Sequence, residues 1–164
     1  MTRYDVSNEA TIAATPAEIV GAFLDEAAGR SQWWQPFVRM RQRGSKPLPE
    51  IGAAVDITVA GGGDRLDQRL WTARFAERVT AFDPDRRLVL ECFDGDFRGT
   101  EEWTVDPVDP GHTRIATRWR TDPQGVVRLA ARFVDVPGSY SKVMQEGFHA
   151  IERFSVRRRA ESQT

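Results

Sequence analysis

GTEEWTVDPVDPGHTRIATRWR, residues 99–120, contains two extended segments joined by a turn. Alternation puts Glu101, Trp103 and Val105 on one face of the first segment. It puts Ile115, Thr117 and Trp119 on the matching face of the second, with Glu102, Arg114, Arg118 and Arg120 on the opposite side. The run from Asp106 to Gly111 is rich in Asp, Pro and Gly, the residues that reverse a chain. Two such segments so close together form an antiparallel hairpin, because a parallel pair needs a long crossover between its strands.

The same reading extends upstream. Phe37 to Arg43, Ala53 to Ala60, Leu70 to Phe82 and Arg87 to Phe93 each read as a strand, with Asp83-Pro84-Asp85 and Asp94-Gly95-Asp96 as turns. Gly61-Gly62-Gly63 reads as a hairpin tip, since it lacks the lysine and following helix of a phosphate loop. Tyr4 to Ala14 is an opening strand, ended by Thr15-Pro16-Ala17-Glu18, a helix start with an N-cap threonine and an early proline. Ile19, Val20, Phe23 and Leu24 continue that helix to Gly29, and Arg30 to Gln35 predicts a second short helical turn. At the other end, Gln124 to Val134 reads as a helix, Pro137-Gly138 as a break, and Ser139 to Arg159 as a long helix. In that last stretch Tyr140, Val143, Met144, Gly147, Phe148, Ile151 and Ser155 form one stripe. The expected class is therefore α+β: about seven antiparallel strands covered by a long C-terminal helix. A twisted sheet closing on a single helix leaves a cavity between them.

Composition sets the outer limits. The chain has 164 residues, the size of one domain spanning 1–164, with 40% hydrophobic and 29% charged residues. No apolar run approaches the ~18 residues of a membrane span, and MTRYDVSNEA lacks a secretory pattern. Cys92 stands alone, so no internal disulfide forms; a reducing, cytoplasmic setting is expected. The net charge of −1 gives no global pull toward nucleic acid. Two histidines and one cysteine, far apart, make no metal site, and no cofactor is expected. Only Lys46 and Lys142 are lysines among 23 basic residues, a bias of GC-rich codon usage rather than of chemistry.

The chain resembles the START-like, helix-grip superfamily (Bet v 1-like), in its polyketide cyclase/dehydrase branch. Four features carry the resemblance: the Thr15-Pro16-Ala17-Glu18-Ile19 helix containing Phe23, the Gln32-Trp33-Trp34 turn, the Gly99–Pro107 and Gly111–Ile115 hairpin, and the terminal amphipathic helix. It implies a seven-stranded antiparallel sheet wrapped around the C-terminal helix, two short helices after the first strand, and a cavity for a hydrophobic or aromatic small molecule. Some members of the superfamily cyclise or dehydrate polyketides, whereas many only bind lipids or metabolites, so fold alone does not decide catalysis.

Candidate ligand-binding residues follow from the strand faces and the helix stripe. Trp33, Trp34, Trp71, Phe75, Trp103, Trp119, Met144 and Phe148 either line a cavity for a planar ligand or simply fill the core. Tyr140 could donate a hydrogen bond into the cavity. Glu77 and Glu101 point inward on this phasing; Glu101 is the first candidate for general acid–base work, the alternative being a solvated place at the sheet rim. The arginines share the outer face with Asp56, Glu91 and Glu102. A one-residue slip would turn them inward, making Arg118 a catalytic oxyanion binder alongside Arg74. Cys92 reads as a small buried hydrophobe, His149 as solvent-facing, His112 as a turn residue, and Arg157–Arg159 as cations at a helix C-terminus.

Three functions remain open at this level: a carrier of a hydrophobic small molecule, a cofactor-free polyketide cyclase or dehydratase, and a protein-interaction module. The last predicts a large exposed apolar patch. A monomer or a homodimer is expected.

Overall fold

The computed structural model describes residues 4–61 and 71–164, the side chains of Gly61 and Trp71 excepted. The Gly61–Gly63 hairpin tip and the expected ligand contact of Trp71 thus lie outside the described residues. Seven strands form one antiparallel sheet: β1 (Tyr4–Ile12), β2 (Val38–Arg43), β3 (Ala54–Gly61), β4 (Trp71–Asp83), β5 (Arg87–Gly95), β6 (Phe97–Asp109) and β7 (His112–Pro123). Their spatial order is β1-β7-β6-β5-β4-β3-β2, a meander whose first strand returns to pair with its last. The hairpin at residues 99–120 keeps the expected phase, with Trp103 paired to Thr117 and Glu101 to Trp119. Glu101, Trp103, Val105, Ile115, Thr117 and Trp119 are all buried, and Arg114, Arg118 and Arg120 are exposed.

Helix α1 (Pro16–Ala27) begins where the sequence places it. Thr15 and Glu18 form a reciprocal cap: Glu18 N–H donates to Thr15 Oγ1 at 3.2 Å, and Thr15 N–H to Glu18 Oε2 at 2.8 Å. Replacing Thr15 by alanine should remove about 1 kcal/mol from the unfolding free energy, read as a lower urea midpoint at unchanged slope. The segment expected to be a second short helix, Arg30 to Gln35, is a series of turns over residues 33–37. Its geometry is set from a distance: the buried carboxylate of Glu26 accepts from Trp33 N–H at 2.8 Å and from Ser31 Oγ at 3.2 Å.

At the C-terminus, α2 (Gly125–Ala130) is shorter than expected, and α3 (Val136–Ser162) starts three residues earlier. Pro137-Gly138 lies in the first turn of α3, where a proline lacks nothing, and Asp135 caps the helix by accepting from Gly138 N–H. Val143, Met144, Gly147, Phe148 and Ile151 face the sheet, and His149 is exposed. Gly147 is required by contact: a methyl there would sit 2.7 Å from the Trp34 ring. The indole of Trp34 lies across the helix and donates to Val143 O at 3.2 Å.

Candidate ligand cavity

Between the inner face of the sheet and the first half of α3 is a cavity whose free space is about 40 Å³, room for a water or two. Its walls are almost wholly apolar and aromatic. Trp34 comes from the turn after α1, Phe75 from β4, Phe97 and Trp103 from β6, Trp119 from β7, and Tyr140 and Met144 from α3. Glu77, Glu101, Ser139 and Tyr140 provide the carboxyl and hydroxyl groups of the wall, which among the described residues contains no lysine, arginine or histidine.

The rings are tightly ordered. Trp119 is sandwiched between Tyr4 and Tyr140, with centroids 6.0 and 4.4 Å away and planes within 8°. Phe97 meets Trp119 edge-on at 4.9 Å and Phe75 at 5.4 Å. Phe23 and Trp103, 5.5 Å apart, separate this cavity from a second apolar one of about 40 Å³ under α1, lined by Leu24, Phe82, Leu88 and Ile151.

Two carboxyl groups stand in this apolar setting without a cation among the described residues of the wall. Glu77 is 1% exposed and Glu101 5%. Trp103 Nε1–H donates to Glu101 Oε1 at 2.5 Å, and the Cys92 thiol donates to Glu77 Oε1 at 3.1 Å. Burial pushes the Glu77 carboxyl up to about 7, against the Cys92 hydrogen bond. Burial, reinforced by the nearby Glu77 charge, holds Glu101 well above the usual carboxylate range. Burial next to these carboxylates likewise raises Cys92 and Tyr140, so both stay protonated at neutral pH. Burial therefore favours the protonated form of both carboxyls, and a charge on Glu77 further resists ionisation of Glu101. Two donors beside the pair are unused. Trp119 Nε1–H lies near the Cys92 sulfur and the Tyr140 hydroxyl near Thr117, yet neither completes a hydrogen bond.

The structure brings together Trp34, Phe75, Glu101, Trp103, Trp119, Tyr140 and Met144 from the candidates, and with them Glu77. Three others fall elsewhere. Trp33 stacks behind Trp34 at 5.2 Å, outside the cavity wall, and donates to Ala22 O. Phe148 is fully buried behind Trp103, edge-on at 6.1 Å. Arg118 lies on the convex face, half exposed, in a two-pronged ion pair with Asp5 at 2.8 and 2.9 Å. The inward register that would have given it a catalytic role does not occur, because it would bury a row of arginines in place of Trp119, Thr117 and Ile115. Arg74 is exposed on that face as well. Sequence reasoning missed Cys92 as the partner of Glu77. Alternation along β5 placed it inward, but the pairing depends on a bulge where Phe93 is skipped, Ala76 facing Asp94 and Glu77 facing Cys92. Among the described residues no group of histidine, cysteine and carboxylate side chains could hold a metal ion, and no helix is long and apolar enough to cross a membrane.

An open antiparallel sheet curled around one long helix, with a cavity between them, defines the helix-grip class. Residues 3–153 match the family described as polyketide cyclase / dehydrase and lipid transport, and the chain belongs to it. Solved structures agree in fold. The Zhui aromatase/cyclase from Streptomyces sp. R1128 superposes with a TM-score of 0.64 at 15% identity, covering 94% of each chain. A START superfamily protein from Mycobacterium smegmatis gives 0.60 at 15% identity, covering 98% of this chain and 99% of that one. The major latex-like protein 151 of Panax ginseng gives 0.63 at 12% identity, covering 93% and 97%. A search of curated proteins finds no match.

Proposed function

We propose that this protein binds an aromatic or polycyclic small molecule, of the polyketide or lipid kind, between the sheet and α3. One observation carries the reading: an aromatic wall whose acidic and hydroxyl groups have no basic partner among the described residues. Such a wall favours an apolar body with uncharged hydroxyl or keto groups. A ligand carboxylate would add a negative charge beside Glu77 and Glu101, with no cation among the described wall residues to offset it. The free space is far below the roughly 300–1,000 Å³ of a pocket holding a drug-sized molecule, so a ligand is admitted as the walls part.

Native mass spectrometry of the protein from its own host, compared with a denatured sample, tests this. The expected result is an adduct that denaturation removes, with the mass of an uncharged aromatic or lipid. A bare mass, together with no binding of 2-naphthol at millimolar concentration, would overturn it.

The carboxyl pair favours cofactor-free cyclisation as the second reading. Ionised Glu77 would take a proton from carbon next to a ketone, and the enolate would attack a second carbonyl. Neutral Glu101 would give its proton to the alkoxide so formed. On this reading Glu101→Gln should abolish turnover while ligand affinity stays within a few-fold. Unchanged turnover would remove Glu101 from the chemistry.

A further inference from the structure

Among the described residues, a cluster of exposed large apolar side chains lies between β7 and α3. No residue of α2 is buried, and Val126, Leu129 and Phe133 are 79%, 62% and 91% exposed. The helical geometry continues through the next turn, where Arg132 N–H donates to Leu129 O and Phe133 N–H to Ala130 O. Positions 126, 129 and 133 therefore share one side. Val127, Ala131 and Val134, on the opposite side, pack on the core. Arg128 and Arg132, one turn apart, flank the exposed apolar side. Both are exposed, and neither makes an ion pair or side-chain hydrogen bond among the described residues. The acid nearest Arg132 in sequence, Asp135, is engaged in capping α3.

We infer that residues 125–134 seat the protein on an anionic lipid surface, with Val126, Leu129 and Phe133 among the acyl chains and Arg128 and Arg132 on headgroup phosphates. Three side chains of this size present at most about 500 Å² of apolar surface, and the cations beside them are unpaired among the described residues. They suffice for shallow insertion, where apolar side chains sink below the headgroups and adjacent cations bind them. The two arginines, with no carboxylate paired to them among the described residues, match headgroup phosphates in charge. The segment runs directly into Val136, Ser139 and Tyr140, which line the cavity, so docking would bring the cavity wall to the lipid. The inference stands apart from the nature of the ligand.

Co-sedimentation with phosphatidylcholine vesicles, with and without phosphatidylglycerol, tests it. The intact protein should pellet with the anionic vesicles and be released by salt. The double variant Leu129→Ser/Phe133→Ser should partition roughly tenfold less, and Arg128→Glu/Arg132→Glu should lose the preference for phosphatidylglycerol. Both variants should keep the thermal midpoint of the parent, since the side chains changed are exposed. A protein that stays in the supernatant with both vesicles, or a serine variant that pellets like the parent, would overturn the inference. So would a dimer in sizing chromatography that the serine variant abolishes, because the patch would then belong to a second copy.

Discussion

Gly99→Ala is expected to cost about 4 kcal/mol of folding stability. Gly99 adopts φ +145°, a region that residues with a side chain rarely adopt. Its added Cβ would run into the carbonyl oxygen of Arg120 and stand 2.8 Å from Thr121 Cα. Backbone strain contributes about 1–3 kcal/mol and the overlap about as much again. Relief is hard to find, since the obstacle is the backbone of β7 rather than a side chain. Gly111, whose Cβ would meet nothing closer than 3.7 Å, is the control; alanine there should stay within about 0.5 kcal/mol. Urea unfolding of the two variants makes the comparison. A loss below about 1 kcal/mol for Gly99→Ala would show that β6 and β7 have room to separate.

Glu77→Gln is expected to gain stability on the parent as pH rises, by about 3 kcal/mol between pH 4.5 and 8. The folded Glu77 carboxyl titrates at about 7 against an ordinary 4.5. Below pH 4.5 it is protonated in both folded and unfolded chains, so nothing is lost. Between 4.5 and 7 the unfolded chain releases a proton that the folded chain keeps, and the parent's stability falls with rising pH. Glutamine does not titrate, so the penalty is absent in the variant. Surface carboxylates contribute in the opposite sense. Asp5, Asp94 and Asp109 are held low, each chiefly by a hydrogen bond from Arg118, Arg43 or His112, and their exposed pairs weaken in acid. Both proteins share these groups, so they cancel in the difference. Parallel stability curves for parent and variant across this range would show a solvated Glu77, and the neutral-acid description of the cavity would fail.

Strand alternation made the inner face readable before any coordinates. Glu77, Glu101, Trp103 and Trp119 point to the cavity because each keeps the parity of its apolar neighbours. The start of α1 was equally legible, since Thr15, Pro16 and Glu18 act within one turn of chain. Contacts between distant elements were not. A helix stripe says that Phe148 is buried but not whether it meets a cavity or the back of Trp103. The Glu77–Cys92 hydrogen bond rests on the Phe93 bulge, which no periodicity announces. The turns after α1 follow from Glu26, a charged residue whose burial nothing local foretells. The 91% exposure of Phe133 was equally hidden, because the same residues would read as a packed helix face.

The pairing of β1 with β7 matters for synthesis as well as for shape. Hairpins β2 through β7 join neighbours in sequence and can form as the chain leaves the ribosome. Tyr4, by contrast, has Thr121 as its partner, so β1 waits for β7, the last strand of the sheet in sequence, before it can pair. Throughout translation β1 remains an open edge. Its outward row of Asp5, Ser7 and Glu9 supplies polar and charged groups of the kind that discourage a nascent edge from pairing with the wrong chain.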